Sequence, residues 1–155
     1  MPGITTKLCN SFKSEILQGI HNLTSDEIKV ALIKSNTTMV GTYDADTTNY
    51  SNVTGFSDEA SGTGYTAGGN VLSSISISVD TTNDVAYVDI GDTTWASSSI
   101  TAAGCIIYNN TQSGKAIAVI NFVGDKTSTN GDFVIEFPPS GGGAPDYSNA
   151  IIRIA

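Results

Sequence analysis

The side chains best suited to act as a base or a thiol nucleophile near neutral pH are few: one histidine, His21, and two cysteines, Cys9 and Cys105. Nucleophilic catalysis needs a proton acceptor within hydrogen-bond reach. His21 falls at the expected end of a helix, where a ring donor helps to satisfy carbonyls, so a structural role is expected. The cysteines lie far apart with no Cys-x-x-Cys pair and read as buried free thiols. Gly62-Thr-Gly-Tyr-Thr-Ala-Gly-Gly has the glycine content of a phosphate loop but lacks its Gly-Lys-Ser/Thr ending and a following helix. Tight turns approaching a strand explain those glycines better. Two acidic clusters, Asp44 and Asp46 with Asn49, and Asp80 with Asn83 and Asp84, offer the hard oxygens calcium prefers. Neither has the glycine and distant glutamate of an EF-hand loop, and both read as solvated turns. Asp89 and Asp92 flank a turn before Trp95, with no aromatic platform to make them glycosidase carboxylates. Trp95, the sole tryptophan, reads as a core residue, with sugar stacking or subunit contact as the alternative. The expectation is a protein that is not an enzyme and uses no cofactor and no metal.

Composition points the same way. Charged residues are 14% of the 155, against about 25% in an average soluble domain. Neutral polar residues take their place: 19 Thr, 18 Ser and 12 Asn, almost a third of the chain. Low charge with ordinary apolar content excludes an acidic disordered tail and a coiled coil. Seven basic residues, scattered among fifteen acidic ones for a net charge of −8, argue against nucleic acid as a partner. No apolar run reaches the roughly 18 residues that span a bilayer, so no membrane partner is expected. The N-terminal Met-Pro-Gly-Ile-Thr-Thr-Lys does not read as a signal peptide.

The elements that would position these residues are mostly strands. One helix is expected at 6–20, with Thr6 as N-cap, a stripe of Leu8, Phe12, Ile16 and Ile20, and Gly19 as its stop. Strands are expected at 28–34, 71–79, 85–90, 104–108, 116–122, 132–137 and 150–154. Hairpin loops are expected at 80–84 and 109–114, and a further link at 127–131. Residues 36–69 are too long for an ordinary connection and read as a functional or folded-back arm. Residues 138–145, rich in Pro and Gly, read as a loop. The expected fold is mainly β: a single antiparallel β-sandwich over 1–155, jelly-roll-like, with one N-terminal α-helix.

The order of several segments carries a resemblance. Phe12-Lys-Ser-Glu-Ile-Leu-Gln-Gly-Ile-His-Asn-Leu, Asp26-Glu-Ile-Lys-Val-Ala-Leu-Ile and the glycine-rich stretch from Gly62 are followed by Asp92-Thr-Thr-Trp, Ile100-Thr-Ala-Ala-Gly-Cys-Ile-Ile-Tyr-Asn and Ala118-Val-Ile-Asn-Phe. From about residue 8 to the C-terminus this resembles a family of small tailed-bacteriophage virion proteins, the head decoration or cement proteins. The resemblance implies a viral structural protein on the capsid surface, made in the host bacterial cytoplasm. Its implied partners are the major capsid protein and further copies of itself, as a dimer or trimer. A tail or fibre protein that binds a carbohydrate receptor is the alternative. Contact residues expected on this reading are Tyr43, Tyr50 and Tyr65 in the arm, Ile4 and Thr5 near the N-terminus, and Trp95. Where Ala103-Gly104 stand, the resemblance leads one to expect a basic residue or a tyrosine.

Overall fold

A computed structural model describes residues 2–138 and 147–155. In chain order the elements are β1 (Gly3–Ile4), β2 (Lys7–Leu8), α1 (Asn10–Leu17), β3 (Ile28–Ile33), β4 (Thr42–Tyr43), α2 (Ser51–Gly55), β5 (Gly62–Thr63) and β6 (Asn70–Val71). There follow β7 (Ser76–Asp80), β8 (Val85–Asp89), β9 (Thr93–Asn109), β10 (Lys115–Thr127), β11 (Gly131–Ile135) and β12 (Ile152–Ile154). The architecture is mainly β, with antiparallel sheets in a sandwich-like arrangement and a helix near the N-terminus. The small pair β1 and β4 runs parallel. Among the described residues no helix is long and apolar enough to cross a membrane.

The long strand β9 organises the main sheet. Its C-terminal part pairs with β3 on one edge and β10 on the other, while its N-terminal part pairs with β5 and β11. Burial along β9 explains how 17 residues stay in one strand. Ala102 through Asn109 are buried without interruption, as in a sheet covered on both faces. Toward the N-terminus burial alternates, through Thr93 and Trp95 and then Ser98 and Ile100. The change from odd to even positions occurs at Ser97, which has φ +49, and the pairing with β11 shifts register at the same place. That is the signature of a β-bulge.

A second sheet has the order β12, β8, β7. The expected strand at 71–79 is therefore two strands: β6 joins β3 in the main sheet, and β7 forms a hairpin with β8 across residues 81–84. Between them Leu72 is buried and Ser74 adopts φ +54, which turns the chain out of the first sheet. One hydrophobic cluster joins both sheets and the small parallel pair, through residues such as Ile4, Tyr43, Val88, Ile107 and Ile152.

The helix is shorter than 6–20. Residues Lys7 and Leu8 pair with Val119 and Ala118 of β10, and the Thr6 hydroxyl accepts the Asn121 N–H, so sheet pairing claims the backbone that a longer helix would need. Cys9 takes the N-cap position without a side-chain bond, and Gly19, at φ +71, ends the turn in the left-handed region as expected. Within α1 only Phe12 is buried, while Leu17 is 85% exposed.

The stretch 36–69 is folded back onto the main sheet. Asp58 and Ala60 lie along the end of β3, through Lys34 N–H to Asp58 O and Ala60 N–H to Leu32 O. Gly69 closes the segment: it has φ +69, and a Cβ there would lie 1.8 Å from the Val30 carbonyl oxygen. Gly62 serves the same end, since a Cβ there would lie 2.1 Å from the Ser99 carbonyl oxygen of β9. Beyond Pro138, the expected loop at 138–145 lies outside the described residues, as does Met1.

Candidate assembly surface

The arm's tyrosines point inward, and two adjacent carboxylates hold them. Asp58 is fully buried and accepts hydrogen bonds from the N–H of Val40 and of Gly41, from the Tyr43 hydroxyl at 2.7 Å and from the Lys34 ammonium at 3.1 Å. Burial disfavours its charge, but the Gly41 N–H, the Tyr43 hydroxyl, the Val40 N–H and Lys34 together outweigh that and hold the carboxyl below its usual range. Glu59 accepts from the Tyr50 hydroxyl, from the Tyr65 hydroxyl at 2.8 Å and from the Gly68 N–H at 2.6 Å. Tyr65 in turn accepts the Leu32 N–H, and Tyr50 stacks on Tyr108 with ring centres 4.5 Å apart. Burial, with the neighbouring carboxylates, pushes the phenols of Tyr43, Tyr50 and Tyr65 above their ordinary range.

These positions correct the expectation of exposed aromatic contacts. Tyr43 is buried and binds Asp58 within the arm, while the half-buried Tyr50 and Tyr65 pin the arm to the sheet through Tyr108 and Leu32. Trp95 is 4% exposed, between Tyr65 and Phe133, so it offers no stacking platform for a sugar. Its indole N–H has no partner among the described residues. Ile4 is buried over Gly104, while Thr5 is exposed and its N–H bonds the Tyr43 carbonyl. A side chain at 104 has no room, since a Cβ there would lie 2.2 Å from the Ile120 carbonyl oxygen; with Ala103 also buried, neither a basic residue nor a tyrosine fits at this spot. Of the expected contact residues only Thr5 presents an exposed side chain.

The candidate chemical residues are occupied structurally. His21 is buried, with Nε2 2.9 Å from Glu15 and Nδ1 3.0 Å from the Asn109 amide. Glu15 also binds Lys115 at 2.7 Å. Cys9 and Cys105 are free and buried, and burial pushes both thiols up to about 12. Among the described residues no group of three or more His, Cys, Asp and Glu is placed to hold a metal. The Asp80 carboxylate accepts the N–H groups of Thr82 and Asn83 and the Asn83 amide, which makes that cluster a hairpin turn.

The surface also presents apolar side chains. The register of the second sheet aligns Ile77, Val88 and Ile152 in one row and Val79, Ala86 and Ile154 in the next. Opposed residues, and residues two apart, share a face of a sheet. The face begins inside, with Val88 and Ile152 buried, and ends outside, with Ile77 55%, Val79 66% and Ile154 59% exposed. The alternation Ile75, Ile77, Val79 marks the strand that carries this face. Val123, 85% exposed, sits on a bulge of β10 at φ +56. Asp125 secures that bulge by bonds to the Ser35 hydroxyl and the Asn36 N–H. An open groove of about 980 Å³ lies between β10 and β11, with Leu8, Phe122, Phe133 and Phe137 on its walls. Lys7, Lys13 and Lys126, three of the seven basic residues, also line it.

Comparison with protein-family models, with curated proteins and with solved structures finds no match.

Proposed function

We propose that this chain is a capsid decoration protein of a tailed bacteriophage, which binds the major capsid protein lattice from outside and stabilises the head. The observation that carries the reading is the apolar face that runs from the core out to Ile77, Val79 and Ile154. A rigid sheet that leaves such side chains in water is built to bury them against another protein. The low charged fraction supports the same reading, because hydroxyl and amide groups lose water at an interface far more cheaply than ionised ones. Copies arrayed on a lattice multiply a weak contact by avidity. The identity of the lattice rests on the resemblance of the segment order to virion proteins.

The test is cosedimentation of the purified protein with heads assembled without it. Saturable binding, with a copy number set by the lattice symmetry and a higher temperature of head disruption, is the expected result. No binding to heads at micromolar protein would overturn the proposal, and immunogold label confined to the tail would transfer the protein to the tail.

A further inference from the structure

We propose that β7 is the site at which a second copy of this chain adds, antiparallel and centred on Ser78, to make one continuous six-stranded sheet across a twofold axis. The inference names a partner for the sheet described above and rests on the assembly reading. Among the described residues β7 pairs with β8 alone and stands at the edge of its sheet, with one side of its backbone open to hydrogen bonding. Natural edge strands are guarded by charged side chains, above all lysine, by proline or by a bulge. Ser76-Ile-Ser-Val-Asp80 has no lysine and no proline, its one charge, Asp80, stands at its end, and its pairing with β8 runs without a register shift.

Self-complementarity selects the occupant and the register. Apolar residues of β7 occupy odd positions and polar residues even ones. Any pairing of odd with even would set isoleucine against serine and put the apolar sides of the two copies on opposite faces of the joined sheet. Of the remaining registers, the one centred on Ser78 pairs all of β7. It sets Ile77 against Val79 of the other copy, Ser78 against Ser78, and Ser76 against Asp80, whose carboxylate can accept the serine hydroxyl. Sliding the centre to Asp80 would instead oppose two carboxylates. The Ser78 register also joins the two exposed apolar faces side by side, so Ile77, Val79 and Ile154 of both copies form one surface for the lattice.

Disulfide trapping tests the register. Directly opposed residues of an antiparallel pair have Cα atoms about 4.5–5.5 Å apart, within disulfide range. The native cysteines are buried and do not compete. Sedimentation equilibrium should show a monomer–dimer equilibrium. Ser78→Cys should form a covalent dimer under mild oxidation at least tenfold faster than a Thr82→Cys control in the turn. Ile77→Cys should cross-link only when mixed with Val79→Cys. Ser78→Lys, with circular dichroism unchanged, should raise the dimer dissociation constant at least tenfold by opposing two ammonium groups. A protein that stays monomeric to millimolar concentration overturns the proposal, as does a dimer in which Ser78→Cys cross-links no faster than the control. A monomer that still binds heads would overturn this pairing alone, and a dimer that ignores heads would overturn the capsid reading alone.

Discussion

The Asn109 side-chain amide donates to Nδ1 of His21 at 3.0 Å and to the Asp26 carboxylate at 2.7 Å. Because Nδ1 must accept, Nε2 carries the proton and donates it to Glu15, which also binds Lys115. The orientation of Asn109 is fixed from its other end, where its oxygen accepts the Gln112 N–H. One chain of bonds thus ties α1, the segment leading into β3, the hairpin loop after β9 and the start of β10. With both ring nitrogens engaged, His21 serves as a structural joint.

Removal of the amide should therefore expose how much that joint contributes. Asn109→Ala leaves the buried Nδ1 of His21 without its donor and takes one donor from the Asp26 carboxylate, which keeps the Asn22 N–H; an orphaned buried group costs about 1–3 kcal/mol. The urea midpoint should fall with the slope unchanged, which marks a loss of stability without a change in the surface exposed on unfolding. An unchanged midpoint would mean that water replaces the amide at no cost.

The Asp58 cluster gives a pH dependence with a definite sign. Its folded carboxyl is held below the unfolded value of about 3.9. Its contribution to stability is therefore present above that unfolded value and is lost as pH falls through the lowered folded value. Asp58→Asn keeps the shape but replaces one accepting oxygen with a donor that faces other donors. The variant should melt lower than the parent at pH 7, by roughly 3 kcal/mol in stability for a broken buried ion pair. The gap should narrow below about pH 4, where the parent also loses the charge. Thermal melts of both proteins between pH 2 and pH 7 decide this; a constant gap would show that the carboxylate is not what the donors bind.

How much of this was legible in the sequence depended on whether the pattern was local. The strands at Ile28–Ile33 and Val85–Asp89 show as apolar runs, and their boundaries agree with the structure within a residue. The extent of β9 does not show, because the bulge at Ser97 moves the buried positions from odd to even and erases the alternation. The inward position of the tyrosines does not show either, because their partners, Asp58 and Glu59, lie 6 to 15 residues away in an irregular segment with no periodicity. Thr6 is a good N-cap by type, but the ladder to β10 is a long-range competitor that local spacing cannot reveal. The alternation of Ile75, Ile77 and Val79 indicates a half-buried strand correctly; it does not say that part of the face is left for another molecule.

Burial also fixes the reactivity of the thiols. Reaction with a disulfide reagent requires thiolate and access, and Cys9 and Cys105 lack both in the folded chain. At pH 8 neither should react with Ellman's reagent on the timescale of minutes, whereas both should react at once in guanidinium. Rapid labelling of one thiol in the native protein would reveal local opening around it. Cys9, in the turn that precedes α1, is the position where such opening would appear first.

The exposed sheet face separates folding from function by mutation. Ile77 and Val79 lie 55% and 66% exposed, so serine at either removes little buried area within the monomer. A surface substitution of this kind changes stability by about 0.5 kcal/mol or less. On the capsid the same side chains would be covered, and the loss of several methyl groups per copy, at roughly 0.8 kcal/mol for each buried CH₂, is multiplied by every copy that engages the lattice. The double variant Ile77→Ser, Val79→Ser should keep its urea midpoint nearly constant and lose at least tenfold in affinity for heads. Leu17→Ser, which removes an 85% exposed apolar residue from α1 on a different element, should change neither. Equal binding by all three proteins would take the docking surface away from this sheet.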